Sequence, residues 1–326
     1  MRTLFIFFSV FIVMPLFAQV ERSVVVEHFT NTRCGICASR NPAFHALLDA
    51  NPGVIHVSYH PSSPYSSCIF SQHNVSENDA RTNYYGVYGG TPRAVLQGEV
   101  LAPSNPLVSQ EQLSNRMGEM SDFSIAILQS PAGNGDVTVT IKVKRESGSG
   151  TENLNLYCAL AERNISYNAP NGEDEHRNVF RRKLQEYSIT LGATNDSVVL
   201  IQDYMPHSAW MNDEIIVVAI LQNMEDKSVV QAARSDIVTS VNEINRSVDL
   251  SGAFYPNPVS SFLYFDSETT EKYQSARLYD LFGVLVRESD LERPVDMQSL
   301  PPGYYFIVFE DGSGKAFTAK VIRTRP

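Results

Sequence analysis

The sequence predicts an α/β domain over residues 20–120, an antiparallel β-sandwich over 121–236 and a small β-sandwich over 253–326. Strand-like and helix-like segments alternate in the first part, as they do in α/β domains. The middle part contains short strands between turn-rich loops, and apolar and polar positions alternate in DVTVTIKVK. The polar residues 237–252 before the third β-rich part are predicted to form a linker.

Residues 1–19 are predicted to be a secretory signal peptide. Arg2 supplies a positive charge, an apolar stretch runs from Leu4 to Phe17, and the small residue Ala18 follows it. The stretch is too short to span a membrane, and no other run reaches about 18 consecutive apolar residues. We therefore expect an exported protein without a transmembrane segment in its mature chain.

The composition excludes several classes of function. A formal net charge of -10 and a pI near 5.2 argue against binding to nucleic acid or to an anionic membrane surface. Four cysteines in 326 residues are too few for a disulfide scaffold. Motifs of the commonest hydrolases and nucleotide-binding proteins, such as GxSxG and HExxH, are absent from the sequence. We expect neither a cofactor nor a bound metal.

In the α/β domain, apolar β-branched runs indicate strands and spaced apolar positions indicate helices. SVVVEHF and VIHVSYH are typical of buried strands, and NPG ends the helix between them. The predicted elements are a strand at 23–29, a helix at 35–50, a strand at 54–60, a helix at 76–86, a strand at 93–99 and a helix at 109–120.

The middle domain is predicted to contain only strands. These lie at 123–130, 136–145, 153–162, 197–204, 214–223 and 228–235. The longest connection, residues 164–187, is polar and charged, and we predict a solvated insertion there.

Two cysteines, Cys34 and Cys37, stand at the predicted start of a helix. Unpaired backbone N–H groups and the positive end of the helix dipole stabilise a thiolate at this place, so we expect a lowered pKa for Cys34. Arg33 acts in the same direction. Cys37, one turn further along, is predicted to be the resolving thiol that closes a disulfide after the first attack.

Several motifs around this pair occur in a known order. The strand VVVEHF precedes Cys34-Gly35-Ile36-Cys37, Pro42 follows five residues after the pair, and Thr91-Pro92 stands ahead of a strand. In these features residues 23–98 resemble a thioredoxin-fold domain. The resemblance implies thiol–disulfide exchange with protein cysteines, a cis peptide bond before Pro92, partner docking at Thr91-Pro92 and no diffusible cofactor.

Some positions depart from the pattern of that family. Arg33 and Gly35-Ile36 differ from the residues usual in its reducing and oxidising members, so the redox direction stays open. Six residues before Cys34, where thioredoxins bury a proton-accepting Asp, stands His28 with Glu27 beside it. Either side chain could relay a proton, and His28 could equally be a packed core residue.

Three other interpretations of the pair remain. A zinc site needs four ligands, and the sequence has no second CxxC. A copper site needs a nearby histidine, and the spacing of the four candidates identifies none of them: His45, His56, His60 and His73. The third interpretation is a structural disulfide in a cell-surface binding or adhesion protein that uses the thioredoxin fold as a scaffold.

The remaining cysteines, Cys68 and Cys158, lie in different predicted domains. In an oxidising compartment they could form a bridge between those domains, or Cys158 could be a buried thiol in a core strand.

The C-terminal part carries the most specific motifs of the chain. They are AFYPNPVSSFLYFD at 253–266, ARLYDLFGVLVRE at 276–288, and LPPGYYFIVFEDGSGKAFTAKVIR at 300–323. Together they resemble the type A C-terminal sorting domain of type IX secretion substrates. The resemblance implies passage through the periplasm and across the outer membrane, followed by release or by attachment to surface lipopolysaccharide.

The function predicted from these observations is that of an exported thiol–disulfide oxidoreductase acting on protein cysteines. Cys34 attacks, Cys37 resolves, and Thr91 and Pro92 dock the partner. The alternative is the surface binding or adhesion protein described above, with a disulfide that stays closed.

Overall fold

A computed structural model describes residues 19–132, 135–150, 152–236, 252–280, 284–311 and 316–324. The predicted signal peptide, except for its last residue, and the predicted linker, except for residue 252, lie outside the described residues. The chain divides into two compact units. The first contains residues up to 125, 142–199 and 218–234, and the second contains 126–141, 200–217 and the residues from 235 onward.

Strands dominate the fold, with 44% of the described residues in strands and 16% in helices. The helices are α1 (Gly35–Asp49), α2 (Ile69–His73), α3 (Val75–Tyr84), α4 (Gln110–Ser114) and α5 (Ser267–Lys272), and a 3₁₀ turn spans Asn212–Glu214. The strands before residue 236 are β1 (Val20–Glu21), β2 (Val25–Phe29), β3 (Ile55–Tyr59), β4 (Arg93–Leu96), β5 (Glu99–Val100), β6 (Met120–Ser121), β7 (Phe123–Pro131), β8 (Val137–Arg145), β9 (Leu154–Ser166), β10 (Glu175–Lys183), β11 (Tyr187–Ile189), β12 (Ser197–Tyr204), β13 (Ile215–Asn223) and β14 (Val229–Arg234).

A mixed sheet of nine strands holds the first unit together. Its order is β14-β13-β9-β10-β3-β2-β4-β5, and β11 pairs with β9. At its centre, β2 is parallel to β3 and antiparallel to β4. Every residue of β2 and β3 is buried, as expected for strands covered on both faces. Two smaller sheets have the orders β12-β8-β7 and β1-β6.

The prediction of a thioredoxin-like α/β domain followed by a separate β-sandwich is wrong. The strands of the two predicted domains share one sheet, because β10 pairs in parallel with β3, with Val179 opposite Ser58. Most of the longer strands lie where they were predicted, but β10 was not predicted, and neither were the hydrogen-bonding partners of the strands. In an independent α/β domain, β3 would have one unpaired edge. Here that edge pairs with β10, a strand more than a hundred residues later in the chain.

Residues 164–187 are also not a solvated insertion. They complete β9 and form β10, which pair as an antiparallel hairpin from Glu175 opposite Ser166 to Lys183 opposite Ala159. Val179 and Phe180 are buried, and the Phe180 ring packs 4.9 Å from the ring of Tyr59. One of the charged residues that suggested solvation, Arg181, is itself buried and donates to Glu162 at 2.8 Å.

The two faces of β2 have different coverings. On one face, α1 packs through Phe44, whose ring lies 4.9 Å from that of His28. On the other face, the Phe29 ring stacks with that of Tyr59 at 5.4 Å. Because successive side chains of a strand point to opposite faces, the neighbours Glu27 and His28 lie in separate environments.

Glu27 forms a buried ion pair with Arg81 of α3. Arg81 Nε lies 2.6 Å from Oε2 and Nη2 lies 2.7 Å from Oε1 of the carboxylate, a bidentate arrangement. The Tyr85 hydroxyl donates to Glu27 at 2.5 Å, and Arg81 also donates to Gln222 Oε1 at 2.9 Å. The two charges are therefore satisfied where water is excluded.

The C-terminal part of the second unit is a β-sandwich, as predicted. Its strands are β15 (Phe254–Tyr255), β16 (Phe262–Phe265), β17 (Tyr273–Asp280), β18 (Leu285–Ser289), β19 (Val295–Asp296), β20 (Gly303–Asp311) and β21 (Ala316–Arg323). They form two sheets, β15-β16-β19 and β18-β17-β20-β21. The core contains fully buried side chains such as Leu263, Met297, Ile307 and Phe309.

Replacing Arg81 with methionine is expected to lower the free energy of unfolding by about 3–5 kcal/mol, because Glu27 is left buried without its counter-charge. Arg177→Met is the matched control. Arg177 pairs with Asp49 at 2.7 Å in an exposed setting, and its loss should cost less than about 1 kcal/mol. Urea denaturation followed by circular dichroism measures both, and equal losses would contradict the prediction.

Candidate functional site at the Cys34–Cys37 disulfide

Cys34 and Cys37 form a disulfide at the start of α1. Cys34 is the N-cap residue, with φ -89° and ψ 108°, and its Sγ accepts a hydrogen bond from the Cys37 N–H at 3.1 Å. The cysteines are 2% and 0% exposed, whereas Arg33, Gly35 and Ile36 are exposed. The sulfurs are thus almost fully covered at a helix start whose other residues face solvent.

The loop before α1 is fixed by the buried side chain of Asn31. Its carbonyl accepts from Cys34 N at 3.0 Å, and its Oδ1 accepts from Arg33 N at 3.0 Å. Its amide nitrogen donates to the carbonyls of Pro61 and Tyr65 at 3.1 and 3.3 Å. One amide group therefore ties the cysteine loop to the loop that follows β3.

Thr91 and Pro92 lie beside the pair. The Thr91–Pro92 peptide bond is cis, and the Thr91 carbonyl oxygen lies 3.5 Å from Cys34 Sγ. Pro92 is buried and Thr91 is half-buried. The backbone of the Thr91–Pro92 segment thus lies beside Cys34, as the sequence analysis placed it. The roles of Cys34, Cys37 and this segment in attack, resolution and docking stay predictions.

A further polar group at the site was missed by the sequence analysis. Asn171, in the loop between β9 and β10, donates its backbone N–H to the Thr32 carbonyl at 3.1 Å. Its side-chain nitrogen lies 3.3 Å from the Asn31 carbonyl and 3.2 Å from the Cys34 carbonyl. The only signal in the sequence was the turn-forming run Asn-Gly, which indicates a loop but not where that loop lies.

Glu173 connects this loop to α1. Its Oε2 accepts from the Asn171 amide at 2.5 Å, and its Oε1 accepts from the Asn41 amide at 2.7 Å. Asn41 also donates to Thr30 Oγ1 at 3.0 Å. A cleft of about 700 Å³ lies between α1 and this loop, and His45 and Asp174 are among the residues that line it.

The surroundings of Glu27 and His28, the two residues considered as proton relays, limit what each can do. Glu27 is engaged by Arg81 on the face of the sheet away from Phe44. His28 is fully buried, and neither of its ring nitrogens has a hydrogen-bond partner among the described residues. Burial and the nearby His45 lower the pKa of His28 to about 3, so its imidazole is neutral at physiological pH.

The other cysteines are free and buried, and they do not form a bridge with one another. Thr32 Oγ1 donates to Cys68 Sγ at 3.2 Å, close to the site. Burial raises the pKa of Cys158 to about 12, which keeps that thiol protonated. Within the described ranges, no group of three or more His, Cys, Asp and Glu side chains is arranged to hold a metal ion.

The arrangement has the parts that thiol–disulfide exchange requires. A sulfur at the N-cap receives a backbone N–H and faces the unpaired donors of a helix start, which stabilise a thiolate. A second sulfur one turn away can close the disulfide again.

Comparison with known families identifies the C-terminal part of the chain. Residues 253–324 match the family described as "Secretion system C-terminal sorting domain". This type IX sorting domain indicates export across the outer membrane to the cell surface or the extracellular space. None of the helices in the described ranges is both long enough and apolar enough to cross a bilayer.

Comparison with solved structures finds similarity over nearly the whole chain. HBP35 of Porphyromonas gingivalis is 15% identical, with 93% of this chain and 98% of that chain covered and a TM-score of 0.58. The similarity concerns the fold alone. A domain of the outer membrane lipoprotein Omp28 from Porphyromonas gingivalis is 12% identical over 36% of this chain and 88% of that domain, and its TM-score of 0.23 is too low to inform the fold. A search of curated proteins finds no match.

Acidification is expected to destabilise the fold because burial keeps several histidines neutral. Burial is the main cause that lowers the pKa of His28 to about 3 and of His45 to about 4, and it lowers the pKa of His56 and His60 as well. In the unfolded chain these groups titrate near 6.5. Below pH 6.5 the unfolded state therefore binds protons that the folded state does not.

The stability that these histidines contribute is fully present above pH 6.5 and is lost as the pH falls toward 4. The free energy of unfolding should drop by about 1.4 kcal/mol per pH unit for each such histidine. Urea denaturation between pH 7 and pH 5 measures this slope. The variant His28→Leu should have a slope that is smaller by the contribution of one histidine, about 1.4 kcal/mol per pH unit. A free energy of unfolding that is independent of pH in this range would contradict the prediction.

Proposed function

We propose that this exported protein exchanges disulfides with protein thiols through Cys34 and Cys37. The observation that carries the proposal is the hydrogen bond from Cys37 N–H to Cys34 Sγ at 3.1 Å, at the N-cap of α1. The same donor that caps the sulfur in the disulfide would stabilise a thiolate after the disulfide opens, which makes Cys34 the better leaving group and nucleophile.

The chemical steps start from the disulfide. A thiolate of the partner attacks Cys34 Sγ, a bond forms between these sulfurs, and the Cys34–Cys37 bond breaks. Cys37 leaves as a thiolate and takes up a proton. A second thiolate of the partner then attacks its own sulfur in the mixed disulfide and releases Cys34. The partner loses two electrons and two protons in becoming a disulfide, and the pair gains them.

The same steps in reverse reduce a disulfide of the partner, with a dithiol protein or a small thiol as the source of electrons. Thr91 lies where it could contact an incoming chain, since its carbonyl is 3.5 Å from Cys34 Sγ. We assign docking of the partner to Thr91 and Pro92 on this ground.

A second candidate is a cell-surface binding or adhesion protein whose disulfide stays closed. It is favoured by the burial of both cysteines, 2% and 0% exposed, which restricts access to the sulfurs. The likeness to HBP35 concerns the fold alone and is compatible with either candidate. Attachment to lipopolysaccharide, which the sorting domain's resemblance implied, stays a prediction.

Exchange activity separates the two candidates. The protein should accelerate insulin reduction by dithiothreitol or reoxidation of reduced RNase, and Cys34→Ser should return the rate to background. Cys37→Ala should accumulate a mixed disulfide that mass spectrometry detects. Cys158→Ala is the control, since burial holds the pKa of that thiol at about 12 and its loss should leave the rate unchanged.

A wild-type protein as inactive as Cys34→Ser would contradict the exchange proposal and favour the binding protein. The reduction potential of the pair is an independent measurement. Structural disulfides of secreted proteins have potentials below about -300 mV, and exchanging ones have higher values.

A further inference from the structure

The loop between β9 and β10 lies against the carbonyl groups at the start of α1. Asn171 contacts three carbonyl groups of the cysteine loop. Its backbone N–H donates to the carbonyl of Thr32, and its side-chain amide contacts those of Asn31 and Cys34. A carbonyl of an N-cap residue normally accepts only the first helical hydrogen bond, here from Ala38 N at 3.2 Å. The Asn171 contact at 3.2 Å is therefore additional to the helix's own pattern.

These contacts restrict the backbone of Cys34, whose sulfur accepts the hydrogen bond from Cys37 N–H. The Cys37 N–H points at Cys34 Sγ only while the N-cap keeps its extended conformation, with φ -89° and ψ 108°. Hydrogen bonds to the carbonyls on either side of Arg33 hold that conformation from outside the helix. Removing them would let the N-cap sample other conformations and would weaken the donation to sulfur.

Glu173 places a negative charge beside the Asn171 side chain. Its Oε2 accepts from the Asn171 side-chain nitrogen that also contacts the Cys34 carbonyl, so the carboxylate lies one hydrogen-bonded group away from the N-cap. The first turn of α1 contains no acidic residue. Arg33, the residue before Cys34 in the chain, supplies a positive charge.

We propose that Asn171 is a positioning residue for Cys34 and that the carboxylate of Glu173 opposes the development of negative charge on its sulfur. This inference rests on the proposed exchange function and assigns the residues that regulate it. Asn171 favours the open, ionised pair by keeping the helix donor on the sulfur. Glu173 favours the closed disulfide, because a second anion in this half-buried region destabilises the thiolate.

The two residues therefore have opposite effects, although they are hydrogen-bonded to each other. A loop that merely stabilised the fold would shift both variants in the same direction. The test is therefore the direction of the effect on Cys34, not its size. One replacement removes the charge of Glu173, and the other removes the hydrogen bonds of Asn171.

The experiment measures alkylation of the chemically reduced full-length protein by iodoacetamide as a function of pH, with Cys34 followed by mass spectrometry. Glu173→Gln keeps the shape and removes the charge, and the pH midpoint of Cys34 alkylation should fall by about half a unit to one unit. Asn171→Ala should raise the midpoint. Glu175→Gln is the matched control, because its side chain is 73% exposed and it should leave the midpoint where it is.

Equal midpoints for Glu173→Gln and Glu175→Gln, or shifts of Glu173→Gln and Asn171→Ala in the same direction, would overturn the inference. If Asn171→Ala does not fold, the comparison of the two glutamine variants decides. Alkylation needs no partner protein, so its outcome is separate from that of the exchange assays. Active exchange with unshifted midpoints contradicts this inference alone, and shifted midpoints without exchange contradict the proposed function alone.

Discussion

The pairing of β10 with β3 is the constraint on which the geometry of the site depends. Val179 lies opposite Ser58, and the Ser58 hydroxyl contacts the carbonyls of Arg177 and Asn178 at 2.9 and 3.3 Å. Because β10 follows directly after the loop that carries Asn171, this pairing sets the loop against the start of α1. The helix start that bears the disulfide is thus supported by a sheet that includes strands from the middle of the chain.

The alternation of side chains along β2 divides the ionisable groups around this sheet. Glu27 meets Arg81 on one face, and His28 meets Phe44 under α1 on the other. A buried carboxylate needs a counter-charge, whereas a buried histidine can shed its proton. The group beneath the helix that bears the cysteines is therefore a neutral imidazole, and the β9–β10 loop supplies the carboxylate of Glu173, which accepts from Asn171.

Export places this site in a setting that suits its closed state. The sorting domain directs the chain across the outer membrane, and disulfides persist in compartments outside the cytosol. Cys68 and Cys158 are free and buried, and burial raises the pKa of Cys158 to about 12.

Most of the local structure could be predicted from the amino-acid sequence. Apolar runs such as SVVVEHF and EIIVVAILQN located buried strands, spacing placed Cys34 and Cys37 at a helix start, and the motifs of residues 253–324 identified the sorting domain. Each of these depends on neighbours along the chain, so the pattern of residues is sufficient. Two features depend on tertiary contacts: the strands of two predicted domains form one sheet, and Asn171 reaches Cys34. Backbone hydrogen bonds carry no side-chain identity, so the sequence of β3 does not specify β10 as its partner, and the contacts that follow from that pairing could not be predicted.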